Sequence, residues 1–146
     1  MANTFHVSLN VKSIPEAVAR YRKILGPEPA KLRENYAKFE LTDPPLILSL
    51  NVGGGAPGTV GHLGIRYPES SQVATGLERA EGDALEPFRQ EGVTCCYAKA
   101  DKFWVRDADG MAWEMYAFLA DADTHSEQAP VPAPAPAAAK SGCCAA

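Results

Sequence analysis

The segment Phe5-His6-Val7-Ser8-Leu9-Asn10-Val11 alternates apolar and polar side chains, the period-two pattern of a strand with one buried face. The period then lengthens. Ala17, Val18, Tyr21, Ile24 and Leu25 recur at helical spacing, behind Ser13 as N-cap, Pro15 in the first turn and Glu16 three residues after the cap. Gly26-Pro27 ends that helix. Three short strand-like runs follow, at about 30–34, 37–41 and 46–50, separated by Asn35 and by Asp43-Pro44-Pro45.

Glycines then take over in Gly53-Gly54-Gly55-Ala56-Pro57-Gly58, which reads as a hinge. Beyond it, Val60-Gly61-His62-Leu63-Gly64-Ile65-Arg66-Tyr67 restarts the alternation. A helical region is expected over about 71–90, broken near Gly82-Asp83 and Pro87, and then strands over 94–98, 102–106 and 111–118. Ala108-Asp109-Gly110 is the turn between the last two. Each half therefore reads β-α-β-β-β, so the chain is an α+β protein with an internal repeat. The modules are expected at about 4–52 and 58–119.

From Asp121 the composition changes to alanine and proline, with almost no large apolar side chains. Such a segment cannot bury enough surface to offset its ordering entropy. The domain is therefore expected over 1–119, with 120–146 a flexible Ala/Pro-rich tail ending in the pair Cys143-Cys144. His125 falls in that tail and has no partner pattern.

Strand parity brings chemistry into view. Phe5, Val7, Leu9 and Val11 share one face of the first strand and His6, Ser8 and Asn10 the other. Leu63 and Ile65 turn His62 the same way in the second module. On the last strand Glu114, Tyr116 and Phe118 lie opposite Met111, Trp113 and Met115. If the halves pair about a pseudo-twofold axis, His6, His62 and Glu114 face one cup. Two imidazoles and a carboxylate hold a divalent ion facially and leave positions open, which suits Fe(II) and oxygen activation. A lone strand histidine is more often a satisfied polar residue than a ligand. Outside the tail, however, these two are the chain's only histidines, and they occupy matching places in the repeat.

The remaining chemistry is thiol chemistry. All four cysteines form adjacent pairs, Cys95-Cys96 and Cys143-Cys144. Neighbouring cysteines are poor staples, because disulfide geometry wants the Cα atoms further apart than one peptide bond places them. As two soft donors they suit a single thiophilic atom. In a regular strand adjacent side chains diverge, so the Cys95-Cys96 pair is expected where the strand ends or bulges, or on a mobile loop, the reading favoured here. Lys102 is a candidate for lowering a thiol pKa, against the plainer reading of a solvated lysine. Tyr97, Phe103, Trp104 and Tyr116 are candidates to wall a pocket, with Arg66 and Asn10 as weaker ones.

Composition narrows the partners. The chain has 146 residues, a formal charge of −4 and 46% hydrophobic residues, enough for one core. An acidic balance without a basic block excludes nucleic acid and anionic membrane as expected partners. The sequence has no apolar run of spanning length and no signal-peptide pattern, and reduced thiols fit the cytoplasm.

Duplicated βαβββ halves with His-His-Glu in these strands resemble the vicinal oxygen chelate superfamily (glyoxalase I, extradiol dioxygenases, fosfomycin-resistance proteins) over essentially all of residues 4–119. Thr94-Cys95-Cys96-Tyr97-Ala98, Lys102-Phe103-Trp104-Val105-Arg106-Asp107-Ala108-Asp109-Gly110 and Trp113-Glu114-Met115-Tyr116 resemble, more specifically, the organoarsenical C–As bond lyases and their cadmium-induced relatives. Ala108 stands where that pattern commonly has proline. The resemblance implies a half-open β-barrel cup around a metal. It implies Fe(II)- and O2-dependent cleavage of the carbon–arsenic bond of trivalent methyl- or aryl-arsenicals, giving arsenite. His6, His62 and Glu114 would be the iron ligands, and Cys95 and Cys96 the arsenic-binding pair. A methyl substrate would yield formaldehyde and an aryl substrate a hydroxylated ring.

Two rival readings stand beside this one: sequestration of Cd(II) or As(III) without turnover, and a glyoxalase-like metalloenzyme using another divalent metal. Monomer and homodimer are both compatible with two modules in one chain.

Overall fold

The computed structural model describes residues 2–95 and 97–122. Ten elements follow the repeat: β1 Thr4–Asn10, α1 Ile14–Leu25, β2 Lys31–Leu32, β3 Tyr36–Thr42 and β4 Pro45–Asn51, then β5 Val60–Tyr67, α2 Ser70–Gly82, β6 Phe88–Cys95, β7 Ala98–Arg106 and β8 Ala112–Asp121. They build one mixed sheet in the order β2-β3-β4-β1-β5-β8-β7-β6.

The order is a palindrome of the two modules about the antiparallel β1–β5 pair. Each module returns its last strand parallel to its first, β4 beside β1 and β8 beside β5. This pairing sets the two histidine-bearing strands and the Glu114 strand side by side at the centre of the sheet. The far ends also meet. Lys31 of β2 reaches the Tyr97 carbonyl at the β6–β7 turn, 2.7 Å away, and Tyr97 returns its hydroxyl to Asn35, so the sheet curls into a half-open cup.

The helices cover the convex face. In α1, Ser13 Oγ accepts from the Glu16 amide, and Gly26 ends the helix at φ 98°, a left-handed conformation that glycine reaches without a Cβ penalty. Ile14 and Val18 pack on Phe39, Leu48 and Leu50, with Val7, Leu9 and Val11 completing that core. Ile24, expected on the apolar stripe, is exposed, and Ile14 takes the buried place. In α2, Glu69 and Gln72 cap each other, and Val73, Leu77 and Ala80 pack on Phe103 and Ala117.

Several boundaries differ from the sequence expectation, among them the end of the domain, since β8 runs to Asp121, past the expected 119. The helix stops at Gly82, and Phe88–Gln90 open β6 instead of continuing it, because Pro87 cannot extend the helical bonding and Phe88 to Gln90 pair with Trp104 to Lys102. The run 94–98 is no single strand, since Cys95 closes β6 and Ala98 opens β7. No helix among the described residues is long and apolar enough to cross a membrane.

Candidate metal centre

His6 is the third residue of β1 and His62 the third of β5; Glu114 lies on β8 directly opposite Gly64 of β5. Gly64 also faces His6 across the β1–β5 pair, so one glycine sits between two of the three candidate ligands. The inward face of β1 is its polar one. Thr4, His6, Ser8 and Asn10 are all buried, an inversion of the usual strand in which the apolar face is the better covered. Polar groups taken out of water need partners, and several have them: Asn51 donates to Ser8 Oγ, and Asn10 donates to Thr59.

The imidazoles are the exception. His6 Nδ1 lies 3.6 Å from Glu114 Oε2 and His62 Nε2 lies 3.3 Å from the same oxygen. The potential ligand atoms of the three residues lie within 4.8 Å of one another. Both nitrogens are buried without a hydrogen-bond partner. A buried lone pair left unmatched is costly, and two of them converging on one carboxylate oxygen is the arrangement that a divalent cation satisfies. The donor set, two imidazoles and a carboxylate, fits that ion chemically. His6 Nε2 lies 3.0 Å from Ser49 Oγ; donating its proton there leaves Nδ1 as the lone-pair nitrogen.

The charge states agree. Burial holds the His6 imidazole down to about 4 against the pull of Glu114, so the ring is neutral near pH 7. Burial pushes the Glu114 carboxyl up, but the Lys102 ammonium, with the imidazoles beside it, overcomes this and holds it well below the usual carboxylate range. Lys102 is therefore no solvated surface lysine. It is 3% exposed, and its Nζ lies 3.0 Å from Glu114 Oε1. Lys102 occupies one carboxylate oxygen while the other faces the histidines.

A cavity of about 70 Å³ opens over these residues. Tyr36, Lys38, Arg66, Ala98, Tyr116 and Phe118 form much of its wall. Tyr116 meets His6 edge-on at 5.5 Å, and Trp104 meets His62 at 5.0 Å. Phe103, a candidate for the pocket wall, lies instead under α2, because β7 alternates and Lys102 and Trp104 hold the inward face. Asn10 is inward but holds the glycine hinge, where a Cβ at Gly54 or Gly55 would collide with its side chain. Tyr97 does not line the cavity. It sits in the β6–β7 turn at φ 61°, stacked near Tyr36 and bonded to Asn35.

Sequence reasoning missed Ser49, Gly64 and Lys38. A single serine within the apolar run of β4 was the available signal for Ser49. The backbone of Cys95 closes β6 opposite Ala98, which lines the cup, so the first cysteine of the pair stands at the end of a strand. Cys96, His125 and Cys143-Cys144 lie outside the described residues.

Fold and site together define a duplicated-module cup with a His-His-Glu centre. Similar architecture occurs in the Mn(II)-bound glyoxalase from Novosphingobium aromaticivorans, with a TM-score of 0.60 and 17% identity over 86% of this chain and 41% of that one. A variant of homoprotocatechuate 2,3-dioxygenase from Brevibacterium fuscum likewise gives 0.60 and 18%, over 84% of this chain and 33% of that one. Relatives in sequence are more particular. The cadmium-induced protein CadI of Mycobacterium tuberculosis is 38% identical over 118 residues, 81% of this chain and 78% of the relative. A trivalent organoarsenical cleaving enzyme of a Bacillus strain, MD1, is 37% identical over 127 residues, 86% of this chain and 79% of the relative. No family model matches the chain. The chain belongs to the family of the cadmium-induced proteins and trivalent organoarsenical cleaving enzymes, and it shares the fold of the glyoxalase and extradiol dioxygenase structures.

Proposed function

We propose that this protein cleaves the carbon–arsenic bond of trivalent organoarsenicals, methyl or aryl, in an Fe(II)- and O2-dependent reaction that releases arsenite and detoxifies the arsenical. The observation that carries the reading is the pair of buried, unpartnered imidazole nitrogens facing Glu114 Oε2, in a chain whose relatives include enzymes named for this cleavage.

In this reading His6, His62 and Glu114 hold the metal and are the catalytic residues, and Cys95 with Cys96 binds arsenic. An iron(II) ion bound there would supply the activation of dioxygen. The chain's own work is positional. A dithiol chelate fixes the arsenic end at the rim of the cup, where Ala98 joins the wall, and leaves the organic group free to enter. Tyr116 and Phe118 give that group an apolar wall, and Lys102 keeps Glu114 ionised and oriented. The described unit to residue 122 is the working part, in a reducing cytoplasm, as monomer or homodimer; the expected tail from 123 lies outside the described residues. Because β8 runs to Asp121 and Ala122 donates to the Tyr97 carbonyl, a truncation should spare residue 122.

Relatives named as cadmium-induced favour one rival, sequestration without turnover. The test is anaerobic loading with Fe(II) and a trivalent methylarsenical, followed by admission of oxygen and separation of arsenic species. Arsenite appearing only after oxygen, and lost in Cys96→Ser, supports cleavage. Substrate held stoichiometrically and never cleaved supports sequestration.

A further inference from the structure

The mouth of the cup is basic on an acidic protein. A depression of about 550 Å³ adjoins the metal cup and shares Lys38, Arg66 and Phe118 with it. Its lining carries four cations, Lys31, Arg33, Lys38 and Arg66, and two carboxylates, Glu40 and Asp121, whereas the whole chain is −4.

The carboxylates of the depression neutralise these cations only in part: Lys31 pairs with Asp121 at 2.5 Å, and Glu40 is left to serve the others. Lys31 and Lys38 are directly opposite in the β2–β3 pair, where like charges repel across strands. Lys38 and Arg66 share one oxygen of Glu40, at 2.8 and 2.9 Å, so one carboxylate serves two cations. Arg33 bonds the Leu32 carbonyl and stacks on Tyr97, with no carboxylate partner among the described residues. The side chains of Lys31 and Lys38 are mostly buried. Repulsion held in a partly desolvated depression is relieved by a bound anion.

We infer that this mouth is an anion-binding subsite that receives the carboxylates of a thiol-conjugated arsenical, R–As(SR′)2, as it hands arsenic to the protein dithiol. The inference rests on the arsenic-binding role proposed for Cys95 and Cys96. Soft arsenic(III) in a thiol-rich compartment travels as thiolate adducts, and the common small thiols carry carboxylates. In the transfer two As–S bonds to the carrier break and two to protein sulfur form. The protein thiol protons leave on the two R′SH, and no oxidation state changes. The basic mouth concentrates the anionic adduct beside the end of β6, where Cys95 lies and where Lys31 reaches the Tyr97 carbonyl.

The test uses metal-free protein, so it is independent of turnover. The methylarsenical is supplied as its bis-adduct with 3-mercaptopropionate, 2-mercaptoethanol or cysteamine, and transfer is followed by stopped-flow As–S absorbance. In wild type the ratio of anionic to neutral adduct rates is expected at about ten at low salt, falling towards that of a Lys38→Gln/Arg66→Gln variant as salt rises. Should the variant fold poorly, the wild-type salt dependence decides alone. A ratio that salt and substitution both leave unchanged overturns the subsite. Comparing phenyl with 4-carboxyphenyl arsenicals as mercaptoethanol adducts separates the sources. Discrimination following the ring carboxylate, and not the thiol, overturns the conjugate reading. No transfer from any adduct overturns the arsenic-capture reading itself, and with it this subsite.

Discussion

Lys102 Nζ lies 3.0 Å from Glu114 Oε1, in a pair almost wholly withdrawn from solvent, while Glu114 Oε2 turns to both imidazoles. Removing the ammonium leaves a buried carboxylate oxygen unmatched, a change that costs about 3 to 5 kcal/mol. Lys102→Met should therefore lower metal-free stability by about 3 kcal/mol, read from the urea midpoint. The same variant should bind Fe(II) or Co(II) about tenfold or more weakly, because the carboxylate loses the contact that orients it. Wild-type stability and affinity in Lys102→Met would show that the pair does no such work.

Acid should act on the same centre through His6. Its folded-state value near 4 lies below the ordinary 6.5, so between those values the unfolded chain holds more protons. Stability rises with pH in that window and falls as pH drops from 6.5 to 4. The span of 2.5 units corresponds to about 3 kcal/mol for metal-free protein. Urea titrations at pH 7, 5.5 and 4 should show the loss, and His6→Gln should flatten it over that window.

Gly64 sets the spacing of the candidate ligands. A Cβ there would sit 2.5 Å from the Glu114 carbonyl oxygen, a backbone atom that moves only with its strand. Gly64→Ala should cost about 1 to 3 kcal/mol by overpacking and should also weaken metal binding, since β5 and β8 must part at the centre. Gly61→Ala, whose Cβ meets nothing closer than 3.5 Å, is the control and should cost less.

Ser49→Ala removes the partner of His6 Nε2. The ring then loses the bond that fixes which nitrogen faces Glu114. A tenfold to hundredfold loss in metal affinity is expected by calorimetry, with Ser49→Thr retaining most of it.

Much of this centre was legible because strands have an exact two-residue period and the modules repeat. His6 and His62 each alternate with apolar neighbours, and that alternation fixes which way they face. The Lys102 contact was hidden because an isolated lysine is ordinarily solvated, and its burial comes from a carboxylate twelve positions later on the neighbouring strand. Gly64 carries no side chain to read; its role is a distance to Glu114 that exists only once β5 and β8 pair. Phe88 to Gln90 fit a helical spacing yet form strand, because their strand character comes from pairing with β7, a tertiary partner outweighing local spacing. Ile24 departs for a different reason: Ile14, Val18, Tyr21 and Leu25 supply the face of α1 that meets the core, and Ile24 lies off that face.

The most direct test of the account counts arsenite released per protein from a trivalent methylarsenical in the presence of Fe(II) and oxygen, for wild type and Glu114→Ala. The account predicts many equivalents from wild type and none above background from the variant, with the methyl carbon recovered as formaldehyde. One equivalent or less from wild type, or equal release from Glu114→Ala, would contradict it.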